Sequence, residues 1–201
     1  MSAFLSVALL PLTAYAQGPT ADTFLEIGMT NNKDAEFSEA LDALKRAIEL
    51  KPDYAAAYYQ LGQAYYGLHR YDEAYNAFKN AVKFDPKDAD SNYSFGMLAS
   101  MLGNDKEAVD ALRKALSLNP AHVSSAMKLG SIQLDLKQFK DAAGTYENAL
   151  KIDPKNAEAR YNLGVAYLGT GNIPDAKKQH DILKDLDNDF AEHLAEKIKK
   201  K

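Results

Sequence analysis

The sequence predicts an all-α, right-handed α-solenoid: a superhelix of five helix hairpins followed by a capping helix. Three observations predict it. First, Gly28, Gly62, Gly96, Gly130 and Gly164, and Pro52, Pro86, Pro120 and Pro154, recur at an unvarying interval of 34 residues. Second, Ala40, Ala74, Ala108, Ala142 and Ala176 lie on the same lattice, as do Ala47, Ala81, Ala115 and Ala149. Third, the apolar spacing inside each unit is that of two helices. Self-similarity at this period marks a stacked array, in which each unit buries its apolar face only against its neighbours.

The elements follow in order. Residues Ala3 to Leu12 form an apolar run, and Ala14-Tyr15-Ala16 before Gln17 has the small-x-small form of a signal-peptidase site. The run is too short for a bilayer core, which takes about 20 residues. Residues 1–16 are therefore expected to be a cleaved secretory signal. Its basic n-region is expected upstream of Met1, since no Lys or Arg precedes Lys33. The array then runs over 21–190 as units 21–54, 55–88, 89–122, 123–156 and 157–190. In the second unit Tyr58, Leu61, Gly62 and Tyr65 follow i, i+3, i+4, i+7, and Ala74, Phe78, Ala81 and Val82 repeat the pattern on a second helix. Gly67, Gly103, Gly169 and Gly171 mark the turns within hairpins, Pro174 suits the first turn of a second helix, and the lattice prolines close units.

A glycine inside a helix costs about 1 kcal/mol relative to alanine. The five lattice glycines imply close approach of the two helices of each hairpin. In the fifth unit His180, Leu183, Lys184 and Asn188 break the columns, as suits a terminal unit. In residues 191–201, with the Phe190 that precedes them, Phe190, Leu194 and Ile198 recur at i, i+4, i+8 and predict an amphipathic cap with a lysine-rich end.

Composition excludes several classes. Without cysteine the chain has no disulfide, thiolate metal site, Cys nucleophile or lipidated cysteine. A hydrophobic fraction of 46% argues against general disorder, and a net charge of −4 argues against a basic nucleic-acid surface. No phosphate loop, zinc-protease helix, serine-hydrolase elbow or EF-hand spacing occurs. His69, His122, His180 and His193 have no second histidine one helical turn away, and read as surface or ordinary packed side chains. No enzymatic activity, cofactor or metal is expected.

The motif Y-x2-L-G-x2-Y, A-x3-F-x2-A, P, read at Tyr58, Leu61, Gly62, Tyr65, Ala74, Phe78, Ala81 and Pro86, resembles the tetratricopeptide repeat. The resemblance covers residues 21–190. The first unit departs from it at Asn31, and the third at Asn92 and Ala99.

Function is sought on the first helix of each hairpin, which carries a second stripe beside its packing residues. Leu25, Met29 and Asn32 begin it, followed by Tyr59, Gln63 and Tyr66; Tyr93, Met97 and Ser100; Met127, Ser131 and Leu134; and Tyr161, Val165 and Leu168. Columns that merely faced water would be polar. The resemblance implies that they line the concave groove of the superhelix, where peptides or helices of partner proteins bind. Aromatic and methionine side chains suit adaptable contact there. Burial between repeats, or cover by the N-terminal segment, is the competing reading of these columns. The Lys/Arg/Asn clamp by which some members of the family grip acidic chaperone tails has no counterpart at Leu25, Met29, Tyr59, Gln63, Tyr93 or Met97.

The expectation is a non-catalytic protein-interaction scaffold, periplasmic or secreted, with a protein partner. Neither nucleic acid nor a lasting membrane anchor is expected. Two alternatives stand beside it: a regulatory or substrate-holding subunit of an envelope enzyme or polysaccharide system, and a self-assembling array.

Overall fold

The computed structural model describes residues 18–201, so the expected signal segment and its cleavage before Gln17 lie outside the described residues. Among the described residues eleven helices follow one another: α1 (Ala21–Lys33), α2 (Phe37–Leu50), α3 (Ala55–Gly67), α4 (Tyr71–Phe84), α5 (Ala89–Met101), α6 (Asp105–Leu118), α7 (Val123–Asp135), α8 (Phe139–Ile152), α9 (Ala157–Gly169), α10 (Ile173–Leu186) and α11 (Asn188–Lys199). No strand occurs among the described residues. The first ten form five hairpins. Each first helix has 13 residues and each second helix 14, so both span about 20 Å.

Local chemistry sets the helix ends. Thr20 forms a capping box with Thr23 ahead of α1, and the side chains of Asp88, His122, Asn156, Asn172 and Asp187 cap α5, α7, α9, α10 and α11. Pro174 sits in the first turn of α10, where its missing N–H leaves no bond unmade. The tight turn inside each hairpin needs one left-handed residue. Gly103 and Gly171 supply it in two hairpins, and Ala35, His69 and Lys137 adopt it with φ of 57 to 61° in the other three.

Gly67 and Gly169, read above as turn residues, instead end α3 and α9. Each receives an aromatic ring from the preceding hairpin. A Cβ on Gly67 would lie 2.5 Å from Phe37, and one on Gly169 2.2 Å from Phe139.

The lattice glycines have a specific partner. A Cβ on Gly28, Gly62, Gly96 or Gly130 would sit 2.5 to 2.8 Å from Leu44, Phe78, Leu112 or Tyr146, respectively. Each glycine thus seats the bulky side chain that the second helix of its own hairpin points at it. Close approach of backbones is the lesser part of the account. Gly164 breaks the pattern: its neighbour is Leu194 of α11, at 2.5 Å, because α10 carries His180 where the others carry Leu, Phe or Tyr.

Every helix packs on the next, and α1 on α3, α5 on α7, α7 on α9 and α9 on α11 add contacts between neighbouring units. The core is therefore a chain of overlapping small clusters, each shared by consecutive hairpins. The two ends differ. Interior units bury Ala57, Leu61 and Ala64 or their equivalents, whereas in α1 the same register holds Thr23, Ile27 and Thr30, all exposed. At the far end α11 starts at Asn188, before the expected boundary at residue 191. It buries Ala191 and Leu194 against Leu168, Ala176 and Leu183.

Candidate functional site

The three columns of the second stripe separate by burial. In the fifth residue of each unit, Leu25 is buried among Leu41, Leu44 and Leu61. Tyr59 packs on Phe78 at 5.8 Å between ring centroids, and beside Phe95 and Leu98 of the next hairpin. Tyr93 leans on His122 at 5.0 Å and on Leu129 and Ile132. Met127 meets Leu163 and Ala166, and Tyr161 stacks on Phe190 of α11 at 5.2 Å. This column is first of all a seam between units. The competing reading thus holds fully for Leu25 and, at the far end, for Leu168, which is only 4% exposed. For Tyr59, Tyr93, Met127 and Tyr161 it holds in part, since each remains half-buried.

The ninth residue of each unit points outward. Met29 and Ser131 are exposed, and Gln63, Met97 and Val165 are half-buried. Tyr66 is exposed and rests on Tyr71, while Leu134 and Asn32 are half-buried. Asn32 donates from Nδ2 to the Gln60 carbonyl at 2.9 Å and to Gln60 Oε1 at 3.0 Å, tying α1 to α3.

Several clefts open along this face, smaller ones beside Met29 and Tyr59 and beside Val165 and Leu168, and two larger. One of about 460 Å³ joins α1, α3 and α5 through Asn32, Gln63, Tyr66, Ser94 and Met97, with Phe37 and Phe78 at its floor. The other, about 450 Å³, joins α5, α7 and α9 through Tyr93, Met127, Lys128, Ser131 and Glu158. Both fall in the range of ordinary ligand pockets, about 300 to 1,000 Å³. Their lining alternates rings and thioethers with hydroxyls and amides, a surface that can grip apolar side chains while bonding a backbone.

Electrostatics sharpen this picture. Burial pushes the Tyr59 hydroxyl above its ordinary pKa, with Ser94 and Gln63 beside it partly offsetting the effect, and burial raises Tyr161 as well. The phenols therefore act as neutral donors and acceptors, with no charge to offer. At the rim Tyr54 donates to Asp22 at 2.5 Å, and Asp90 pairs with His122 at 3.2 Å. Among the described residues no cluster of His, Asp and Glu is placed to hold a metal ion, and no helix is long and apolar enough to cross a membrane.

Sequence reasoning missed Phe37, Phe78 and Ser94 as parts of the first cleft. Phe37 could have been found: it stands where the facing Gly67 leaves room, and Phe139 and Gly169 repeat the pairing.

Models of the tetratricopeptide repeat match residues 55–88 and 89–122, and a related repeat model matches 36–69 and 130–171. No curated protein sequence matches the chain. Among solved structures, YrrB, described as a TPR protein with an unusual peptide-binding site, aligns with a TM-score of 0.80 and 26% identity over 89% of this chain and 93% of its own. A structure of the MamA protein aligns with a TM-score of 0.75 and 26% identity over 92% and 96%. A MamA from Desulfovibrio magneticus RS-1, at 21% identity and a TM-score of 0.74 over 87% and 98%, shares the fold.

Proposed function

Because the chain belongs to the tetratricopeptide repeat family, we propose that it is a non-catalytic scaffold that captures a segment of a partner protein along the face of α1, α3, α5 and α7. One observation carries the reading: Met29, Gln63, Tyr66, Met97 and Ser131 stay accessible in successive hairpins while the lattice around them is buried. Apart from the Tyr66 contact with Tyr71 and the place of Gln63 beside the Tyr59 hydroxyl, these side chains add little to holding the array together. Tyr93 and Met127 form a wall of the second cleft, farther along the same face. A partner segment laid along it would bury apolar side chains against Met97 and Tyr66 and bond its polar groups to Gln63, Ser94 and Ser131. The likeness to YrrB, a TPR protein with an unusual peptide-binding site, favours the same class of ligand here.

The place of action is the cell envelope or the exterior, on the support of the apolar run and the Ala14-Tyr15-Ala16 sequence. N-terminal sequencing of the exported protein would then begin at Gln17.

The scaffold reading is tested by affinity capture. Tyr66→Ala with Met97→Ala removes accessible side chains and leaves the seam tyrosines in place. The doubly substituted chain is expected to keep its thermal stability and to lose the partners that the unaltered chain retains. Retention of the same partners at the same level would refute the groove.

A further inference from the structure

The first cleft of the groove recurs three units on, with one wall changed. Phe139, Val165, Leu168 and Gly169 line a recess of about 280 Å³, in register with Phe37, Gln63, Tyr66 and Gly67 of the first cleft. The floor is built in the same way, the Phe139 ring seated over Gly169 as Phe37 is over Gly67. In the first cleft the far wall comes from the next first helix, α5, which offers Ser94 and Met97. At the end of the array α11 takes the corresponding place, packing on α9. The far wall is then Lys197, Lys200 and Lys201.

The three lysines are exposed, and no carboxylate lines the recess with them. None of the three is in an ion pair among the described residues, not even with Glu196, one turn before Lys200. A helix C-terminus favours lysines through its dipole, but the dipole does not choose a face. Lys199, the fourth lysine of the run, lies off the recess that the other three line. The floor beneath them is apolar: Leu168 is buried, while Phe139 and Val165 are half-buried and open to a ligand.

We propose that this cleft holds an acidic stretch of the partner segment, with an apolar side chain resting on Phe139 and Val165 and flanking carboxylates meeting the three lysines. That the ligand is a polypeptide rests on the scaffold reading, since the cleft continues the groove along α9. That it is acidic rests on the lysines. The chain as a whole carries a net charge of −4, so an acidic segment is repelled in general and held where cationic side chains gather. The first cleft has no charged side chain in its lining, so the part of the segment that lies against Gln63, Tyr66 and Met97 is uncharged. Charge thereby sets the direction of the bound segment, its acidic part at the α11 end.

Methyl NMR both locates the site and measures it. The probe is the N-acetylated, C-amidated peptide Asp-Glu-Glu-Leu-Glu-Glu-Asp, titrated into the whole chain while the methyls of Val165 and Leu168 are followed. The control peptide carries Asn and Gln in place of the acids. Saturable shifts with the acidic peptide, and none with the control, are expected. Lys197→Gln, Lys200→Gln and Lys201→Gln combined are expected to weaken binding about tenfold at unchanged Tm, and Arg at the same three positions to preserve it. Salt gives the same reading without any substitution: from about 0.1 to 1 M the screening length falls from about 10 to 3 Å, and the acidic peptide should bind more weakly. Tyr66→Ala/Met97→Ala alters no residue of this cleft and is expected to bind the acidic peptide unchanged, so the cleft and the scaffold reading fail separately. Unmoved methyls, or equal affinity for the Gln-substituted chain, would overturn the proposal. Unmoved methyls together with sedimentation of the chain on phosphatidylglycerol vesicles would overturn it in favour of a membrane surface.

Discussion

At the scale of single residues, the contrast between Gly130 and Lys137 shows how backbone and packing demands divide. Gly130 is helical and owes its identity to the Tyr146 ring, which is fully buried and would meet a Cβ at 2.5 Å. Lys137 owes nothing to packing and sits at φ 57° only because the hairpin must turn there. A left-handed residue with a Cβ costs about 1 to 2 kcal/mol, and glycine's extra chain entropy returns part of any gain. Ala35→Gly and Lys137→Gly are therefore each expected to stabilise the chain by about 0.5 to 1 kcal/mol, or about 1 to 4 °C in Tm. Calorimetric melting of the two variants checks this. The sequence announced the glycine lattice but not its partners, since a glycine records that space is needed and says nothing of which side chain takes it. For the same reason Gly67 and Gly169 read as turns: the Phe37 and Phe139 rings that need them lie one hairpin away.

At the scale of elements, hairpins were legible because helical spacing and lattice punctuation agree in every unit. The cap was legible as a helix but not in its seating. α11 contributes Leu194 to Gly164, the place that α10 leaves unfilled, and stacks Phe190 on Tyr161. A helix outside the repeat has thus been recruited to finish the last one. Leu194 is fully buried, so Leu194→Ala is expected to cost about 2 to 5 kcal/mol. The loss should fall on the C-terminal units, because an array transmits stability mainly between neighbours. Hydrogen exchange should show faster opening of α9, α10 and α11 with α1 to α4 little changed. Uniform acceleration over all eleven helices would contradict a locally coupled array.

At the scale of the whole molecule, tyrosines link stability to pH. The hydrogen bond to Asp22 and burial push Tyr54 up to about 12 from 10.0, and burial with the Glu147 hydrogen bond does the same to Tyr167. Burial also raises Tyr59, Tyr146 and Tyr161. A phenol whose folded pKa exceeds its unfolded value keeps its proton more tightly in the fold. Its stabilisation is complete below about pH 10 and is lost as pH climbs toward 12. Alkaline unfolding is accordingly expected over that window, with tyrosinate absorbance rising together with loss of helical circular dichroism. Ionisation of Tyr54, Tyr59, Tyr146, Tyr161 and Tyr167 below pH 10 with the helices intact would contradict this link.

The groove belongs to this scale as well, and the sequence located only part of it. The period of a stripe shows which residues share a helix face. It does not show how far the next hairpin covers that face, and so Leu25 and Leu168 looked like Met29 and Met97 until the stacking was known.

The most direct test of the scaffold reading is the affinity of a groove-binding peptide. Peptides selected from a displayed library on the unaltered chain are titrated calorimetrically against that chain and against Tyr66→Ala/Met97→Ala. A loss of at least about tenfold in affinity, or 1.4 kcal/mol, is expected at unchanged Tm. Equal affinity for both chains would contradict it.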